Sequence, residues 1–304
     1  MALMQFRPSR PAPASADPVL AAFLADASIE VMPRTLAMLG GTLADHLPAG
    51  REVFVAHLDG TDPADMQATV ARLAQGGYRP VPHIPARLVP DRAALDRWTR
   101  GYLDAGASGA LLLGGGVARP RGDFADSMAL LETGLLSGFA HLFIAGHPEG
   151  NRDIDPAGGE AQVMAALRWK ADFAARSDAR VQIVTQFCFQ AAPVIAWADR
   201  LRAAGIDLPI RVGLPGPARL QTMLKFAIMC GIGPSLSVLQ HRARDVTRLM
   251  LPFDPRDIAA DLARHRAAHP DGTVTAAHLF PLGGITTTTD WLAAASPDER
   301  LHPT

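Results

Sequence analysis

Short apolar, β-branched runs alternate with longer Ala- and Leu-rich stretches along almost the whole chain, and the short runs number eight. They are Ser28–Met32, Val53–Leu58, Arg79–Ile84, Ala110–Leu113, His141–Ala145, Val181–Phe187, Ile210–Leu214 and Ala276–Phe280. Repeated strand-then-helix order is the pattern of βαβ units and a parallel sheet, because a parallel connection needs a crossover long enough to hold a helix. The stretches between carry apolar residues at three-to-four spacing, as in Pro63–Gln75, Asp91–Ala105, Gly159–Ala175, Ala192–Ala204 and Pro255–His269. Asp62-Pro63 and Asp254-Pro255 put a side-chain acceptor ahead of a proline at the first helical turn. Gly76-Gly77 and Gly205 close helices where a left-handed backbone is needed.

Eight such units can close into one barrel or split into two doubly wound sheets. The chain has 304 residues, close to the roughly 250 that one barrel takes plus extensions, and no Ser/Gly-rich linker interrupts the alternation. Polar residues also gather at or just after strand ends: Glu30, His57, His83, His147, Glu149 and Gln186. In a closed barrel all of these converge on the C-terminal face, where such folds keep their sites. The sequence therefore predicts a single α/β domain, a (β/α)8 TIM barrel over residues 17–304, preceded by a loose N-terminal arm at 1–16. Cys230–Leu251 has too little strand character for its length, so extra helix is expected between strands seven and eight.

The formal net charge of −1, with scarce lysine and scattered arginine, gives no footprint for a nucleic acid, which needs clustered cations to neutralise phosphates. No run approaches the ~20 apolar residues of a membrane-spanning helix, and the first sixteen residues contain no signal-peptide core. The expectation is a cytoplasmic protein with no membrane and no nucleic-acid partner. Cys188 and Cys230 lie in apolar segments without metal or redox spacing, which fits buried thiols in a reducing compartment. A homo-oligomer stays open, since barrel helices often pair across subunits, but no exposed stripe marks a face for it.

Glu30 interrupts the first apolar strand. Desolvation there raises a carboxyl pKa, which suits a general acid, although a strand residue facing water or paired with Arg34 would look the same. His83 and His147 both end apolar strands. Two histidines and a glutamate raise the thought of a divalent metal, but the HxH and HExxH spacings are missing, and no metal is expected. Gly114-Gly115-Gly116 after the fourth strand, and Gly283-Gly284 after the eighth, could let backbone N–H groups approach a phosphate or could simply turn the chain.

Gly146-His147-Pro148-Glu149-Gly150-Asn151, followed by Val184-Thr185-Gln186-Phe187-Cys188-Phe189, resembles the methylenetetrahydrofolate reductase family, whose members carry a strand-end Tyr-Pro-Glu and then an Ile-Thr-Gln-Phe-Phe-Phe strand. Glu30 before a proline, Pro82-His83, Lys225-Phe226 and His278-Leu279-Phe280 add to the likeness, which covers about residues 27 to 295. The resemblance implies an oxidoreductase that reduces 5,10-methylenetetrahydrofolate to 5-methyltetrahydrofolate, or the reverse, with NADH or NADPH through bound FAD. It gives Glu30 the role of the acid that opens the imidazolidine ring. Gln186 and Phe226 fall on the folate, and His83, His147, Asn151 and Lys170 on positions that contact the flavin or its phosphates. Also on the cofactor side are His57, Glu149 and the Gly114, Gly115, Gly116 turn.

The chain departs from the family where charge matters. The Arg-Gly-Asp after strand four aligns with Gly114-Gly115-Gly116, the Thr-Tyr after strand two with Ala56-His57, and the late Arg with Gly284. Asp123, in Arg121-Gly122-Asp123, repeats the lost tripeptide seven residues late, as a substitute or as a surface turn. These losses leave two alternatives beside the flavoenzyme: direct hydride transfer from nicotinamide to folate, and a non-catalytic folate- or flavin-binding barrel.

Overall fold

The computed structural model describes residues 17–229 and 252–296. The expected arm at 1–16 and the stretch Cys230–Leu251 lie outside the described residues. Eight strands form one closed, all-parallel barrel in sequential order: β1 (Ser28–Val31), β2 (Glu52–Val55), β3 (Arg79–Pro85), β4 (Gly109–Leu113), β5 (His141–Gly146), β6 (Arg180–Phe187), β7 (Ile210–Pro215) and β8 (Val274–Phe280). Among the described residues ten α-helices accompany them: α1 (Pro18–Leu24), α2 (Pro33–Ala37), α3 (Pro63–Gln75), α4 (Arg92–Asp104), α5 (Ser127–Glu132), α6 (Ala161–Ala174), α7 (Ala191–Ala203), α8 (Leu220–Met229), α9 (Arg256–Ala268) and α10 (Ile285–Ala295). The TIM barrel expected from the eight-fold alternation is thus present, and β7 and β8 are separated by two described helices, α8 and α9.

The strands alternate with period two, and each face has its own job. Ile29, Val31, Val53, Val55, Ile183, Val212 and Leu279 point outward into the large core shared with the helices. Phe54, Val81, Leu111, Phe143 and Val184 point inward and form an apolar disc across the barrel. Helix starts follow capping chemistry: Asp62 accepts from Ala64 N at 2.8 Å and opens α3 ahead of Pro63. Asp254 accepts from Arg256 N at 2.9 Å before α9 and also takes the Trp291 indole N–H at 2.8 Å.

Below the apolar disc, at the N-terminal end, the filling is ionic. Arg211 of β7 bonds Glu52 of β2 at 2.8 Å, both side chains being under a tenth exposed. The guanidinium also donates to Asp26 O at 2.7 Å, and His141 Nδ1 stands 3.8 Å from the other Glu52 oxygen. The turn after α1 therefore covers this end by bonding a side chain from β7, the next strand but one round the barrel from β1.

A buried pair of this kind contributes little net stability when intact but costs about 3–5 kcal/mol when one partner is removed, because the other charge is left desolvated. Glu52→Gln should lower the urea-unfolding free energy by that order, and Glu52→Leu combined with Arg211→Met should recover most of it. A single variant within about 1 kcal/mol of the parent would mean that Arg211 is not held as a buried cation.

Candidate functional site

At the C-terminal end of the barrel three strands bring titratable groups to one point. Glu30 of β1 lies beside Phe54 of β2 in the parallel ladder, and Ser28, two residues earlier on the same face, lies beside His278 of β8. Glu30 Oε2 is 3.4 Å from His83 Nε2 and 3.8 Å from His278 Nε2. The second ring nitrogen of His278 is 2.8 Å from Ser28 Oγ. A Ser28 hydroxyl donating to Nδ1 leaves the imidazole hydrogen on Nε2, aimed at Glu30. Underneath, the Phe54 ring meets His278 at 4.6 Å and Phe143 at 4.9 Å between centroids.

The electrostatics follow from this packing. Burial pushes the Glu30 carboxyl above its ordinary value, and His83 pulls it back less strongly. Burial lowers His83 to about 4 and His278 to about 3, so both imidazoles are neutral at neutral pH. Among the described residues the carboxyl group therefore faces two uncharged rings and no guanidinium partner: the sequence alternative, Arg34, is exposed on α2. The facing Nε2 atoms of His83 and His278 are buried without a hydrogen-bond partner among the described residues, as is Nδ1 of His57. His57 follows β2, packs its ring against Trp98 at 5.0 Å and bonds the backbone at Thr61.

A second polar group occupies the opposite arc, over β5 and β6. Gln186 hydrogen-bonds the His147 side chain, and burial holds that imidazole down to about 4. Asn151 Nδ2 stands 3.4 Å from His147 Nδ1. Lys170 is buried on α6, where desolvation lowers its ammonium to about 8 and Asp126 pulls it back up. Glu149 acts on the buried Cys188 thiol, which burial raises to about 12. Gln186 is turned by an irregularity in β6: the ladder to β7 shifts between Val184 and Phe187, and Thr185 Oγ1 takes the Gly213 N–H at 2.8 Å. Gly213 has no side chain for a reason, since a Cβ there would stand 2.5 Å from Gln186 O and 2.6 Å from Thr185 O.

Between the two polar groups runs an aromatic wall. Phe280 meets His278 at 4.7 Å and Phe187 at 5.5 Å, Phe187 meets Phe189 at 5.8 Å, and Phe189 meets Phe253 at 5.5 Å. Phe226 of α8 packs on this cluster with Met223 and Leu282. Glu30 and Gln186 thus stand on opposite sides of one mouth, joined by a continuous run of rings. Asp123 stays exposed on its turn, where a Cβ on the preceding Gly122 would collide with Pro90 O at 1.8 Å.

Sequence reasoning missed a set of internal charge pairs over β3 to β5. Arg87, just after β3, donates to Asp153 at 2.7 Å, Ala125 O at 3.0 Å and Val117 O at 3.2 Å, while its N–H bonds Gly114 O at 2.9 Å. The Gly114–Gly116 turn is therefore stitched to its neighbours. Asp91, Asp126 and Asp155 accept from the first turns of α4, α5 and α6. Among the described residues no group of three His, Cys, Asp or Glu is arranged to hold a metal ion. A flavin diphosphate laid across this arc would meet a carboxylate at each of these donors, so the residues present do not fit FAD there.

Since the unfolded chain protonates its histidines near 6.5 and the folded chain holds His83 and His278 down to about 4 and 3, the unfolded state binds more protons between those values. Stability is complete above about pH 6.5 and falls as pH drops, by at most ~1.4 kcal/mol per unit for each imidazole. Glu30 works with the opposite sign, because its raised pKa retains a proton that the unfolded carboxyl releases, and it offsets part of one slope. Denaturant midpoints should decline steadily from about pH 7 toward 5; a flat profile would show that these imidazoles are not buried neutral.

No protein-family model matches the chain. Among solved structures, an uncharacterized protein from Clostridium thermocellum that binds two copies of 5-methyl-5,6,7,8-tetrahydrofolic acid is similar to it over 92% of this chain and 98% of that one, with a TM-score of 0.59 and 10% sequence identity. At that identity the likeness is one of fold. No helix among the described residues is long and apolar enough to cross a membrane.

Proposed function

We propose that this barrel binds a reduced folate at its C-terminal mouth and reduces the methylene form to the methyl form, with a reduced nicotinamide as the source of hydride. The observation that carries this is Glu30: a carboxyl group raised by burial, set between two neutral imidazoles, on a barrel whose structural neighbour binds methyltetrahydrofolate. A carboxyl whose protonated form is favoured by burial can deliver that proton to the nitrogen leaving the five-membered ring of a methylene-folate. Bond cleavage then leaves a cationic one-carbon unit that accepts hydride. Ser28 and His278 orient the acid, and the apolar disc beneath, with Phe54 and Phe143, keeps water from reaching it from below.

Gln186, held by His147, presents an amide suited to the paired donor and acceptor edge of a pterin. The rings of Phe187, Phe226 and Phe280 offer flat faces for a pterin or a nicotinamide. A second function is favoured by the loss of charge after β4, where glycines replace the family's Arg-Gly-Asp: a folate-binding barrel that holds the methyl form without turning it over.

Binding and chemistry separate cleanly by experiment. Methyltetrahydrofolate at about a hundred times its dissociation constant should stabilise the chain by about 2.7 kcal/mol, seen as a rise in Tm; no rise would remove the folate reading altogether. Glu30→Gln preserves shape and hydrogen bonding but not the proton. It should keep that rise while lowering nicotinamide-dependent reduction of methylenetetrahydrofolate by about 10²–10⁴-fold. Equal turnover in parent and variant would exclude Glu30 as the acid, and absence of turnover in the parent with binding intact would select the non-catalytic barrel.

A further inference from the structure

The mouth is divided electrostatically. The loops that follow β2, β3, β4 and β5 (residues 56–62, 86–91, 114–126 and 147–160) carry nine Asp or Glu against four Arg, whereas the loops after β6, β7 and β8 (188–190, 216–219 and 281–284) carry no carboxylate and one Arg. On the first arc the buried cation, two of the four arginines and the helix ends are already satisfied from within. Arg87 faces Asp153, Arg121 faces Asp59, and the buried Lys170 is held by Asp126. The amide-rich first turns of α4, α5 and α6 each bind an aspartate. Among the described residues only Arg119 and Arg152, both exposed, are cations on these loops without a carboxylate partner.

A dinucleotide diphosphate placed here would meet a surplus of like charge and, at Arg87, Arg121, Lys170 and the three helix ends, would have to displace an aspartate, losing a charge-assisted bond for each one gained; among the described residues only the exposed Arg119 and Arg152 are open to it. The opposite arc has the reverse character. It combines the aromatic wall with strand-end loops 188–190, 216–219 and 281–284 that carry no carboxylate, and α10 opens at Gly284 without a side-chain cap. Resting on the folate reading above, we infer that this chain works without a flavin: the reduced nicotinamide lies against the β6–β8 wall and passes its hydride directly to the folate. The step balances on its own. The C4–H bond of the dihydronicotinamide breaks with its electron pair, which forms the new C–H bond of the methyl group. The carbon–nitrogen bond of the five-membered ring opens, Glu30 supplies the proton to that nitrogen, and the nicotinamide leaves oxidised.

Two measurements on the full-length wild-type chain test this. Titrating the protein into FAD should leave the flavin fluorescence unchanged, and the purified protein should show no visible flavin absorption band. With dihydronicotinamide deuterated at the transferred position, the label should appear undiluted in the methyl product, because direct transfer never exposes it to water. Stoichiometric quenching of FAD, or loss of the deuterium to solvent through an exchangeable flavin N–H, would overturn the inference while leaving the folate reading in place. Folate binding without any transfer from nicotinamide would refute the direct step. Failure of methyltetrahydrofolate to raise Tm would refute the folate reading instead, with the FAD titration still deciding whether flavin is excluded.

Discussion

A closed parallel sheet encloses a cylinder that only side chains can fill, and the pleat allots every second residue of each strand to that task. This constraint orders the whole interior. The lowest inward layer is an ion pair, Glu52 with Arg211; the middle is the apolar disc around Phe54 and Phe143; the upper layer is Glu30 with His83. His278 connects middle to top through Ser28 below and Glu30 above. The Arg211 guanidinium is itself taken up by Glu52 and by Asp26 O.

Two glutamates on adjacent strands thereby acquire different chemistry from their surroundings. Glu52 is locked to a guanidinium and a neighbouring imidazole, which fixes it as a structural anion. Among the described residues Glu30 has neutral rings for company, and neutral rings offer hydrogen-bonding positions without repaying the desolvation of a charge. Its protonated form is favoured for that reason. Strengthening the site with a cation would stabilise the barrel mouth and remove the acid, so the unpartnered Nε2 atoms of His83 and His278 are consistent with a site held ready for a ligand rather than optimised for folding.

The fold was legible because a period-two pattern and a helical pattern alternate without a break, and all eight expected strands are found. Edges were less so. The second strand ends at Val55 rather than Leu58 because Ala56 makes the last ladder contact, its N–H to Val31 O at 2.8 Å, and His57 is carried into the loop. The helix expected from Gly159 starts at Ala161, where Asp155, from the loop just ahead of the helix, accepts from Gln162 N and Val163 N. Glu30 and His83 could be picked out as polar residues on apolar strands. The partnership of Ser28 with His278 could not, since it depends on β1 closing against β8 across 250 residues, and no local periodicity encodes which strands meet. Arg87 and Asp153 were invisible for the same reason, being joined loop to loop.

The distribution of charge around the rim bears on how such a mouth can select what enters it. Loops tolerate substitution more readily than strands, so the barrel can keep Glu30, His83 and Gln186 in place while its rim changes sign. Here the carboxylates are not free to swing aside: Asp91, Asp126 and Asp155 each hold the start of a helix, and Asp153 holds Arg87. Caps of this type each contribute about 0.5–2 kcal/mol, which couples the acidity of the rim to the stability of α4, α5 and α6. An anion that recruited those helix ends would have to match both the cap it displaced and the repulsion of the remaining acids. The same aspartates that complete the fold on this arc therefore also keep it acidic.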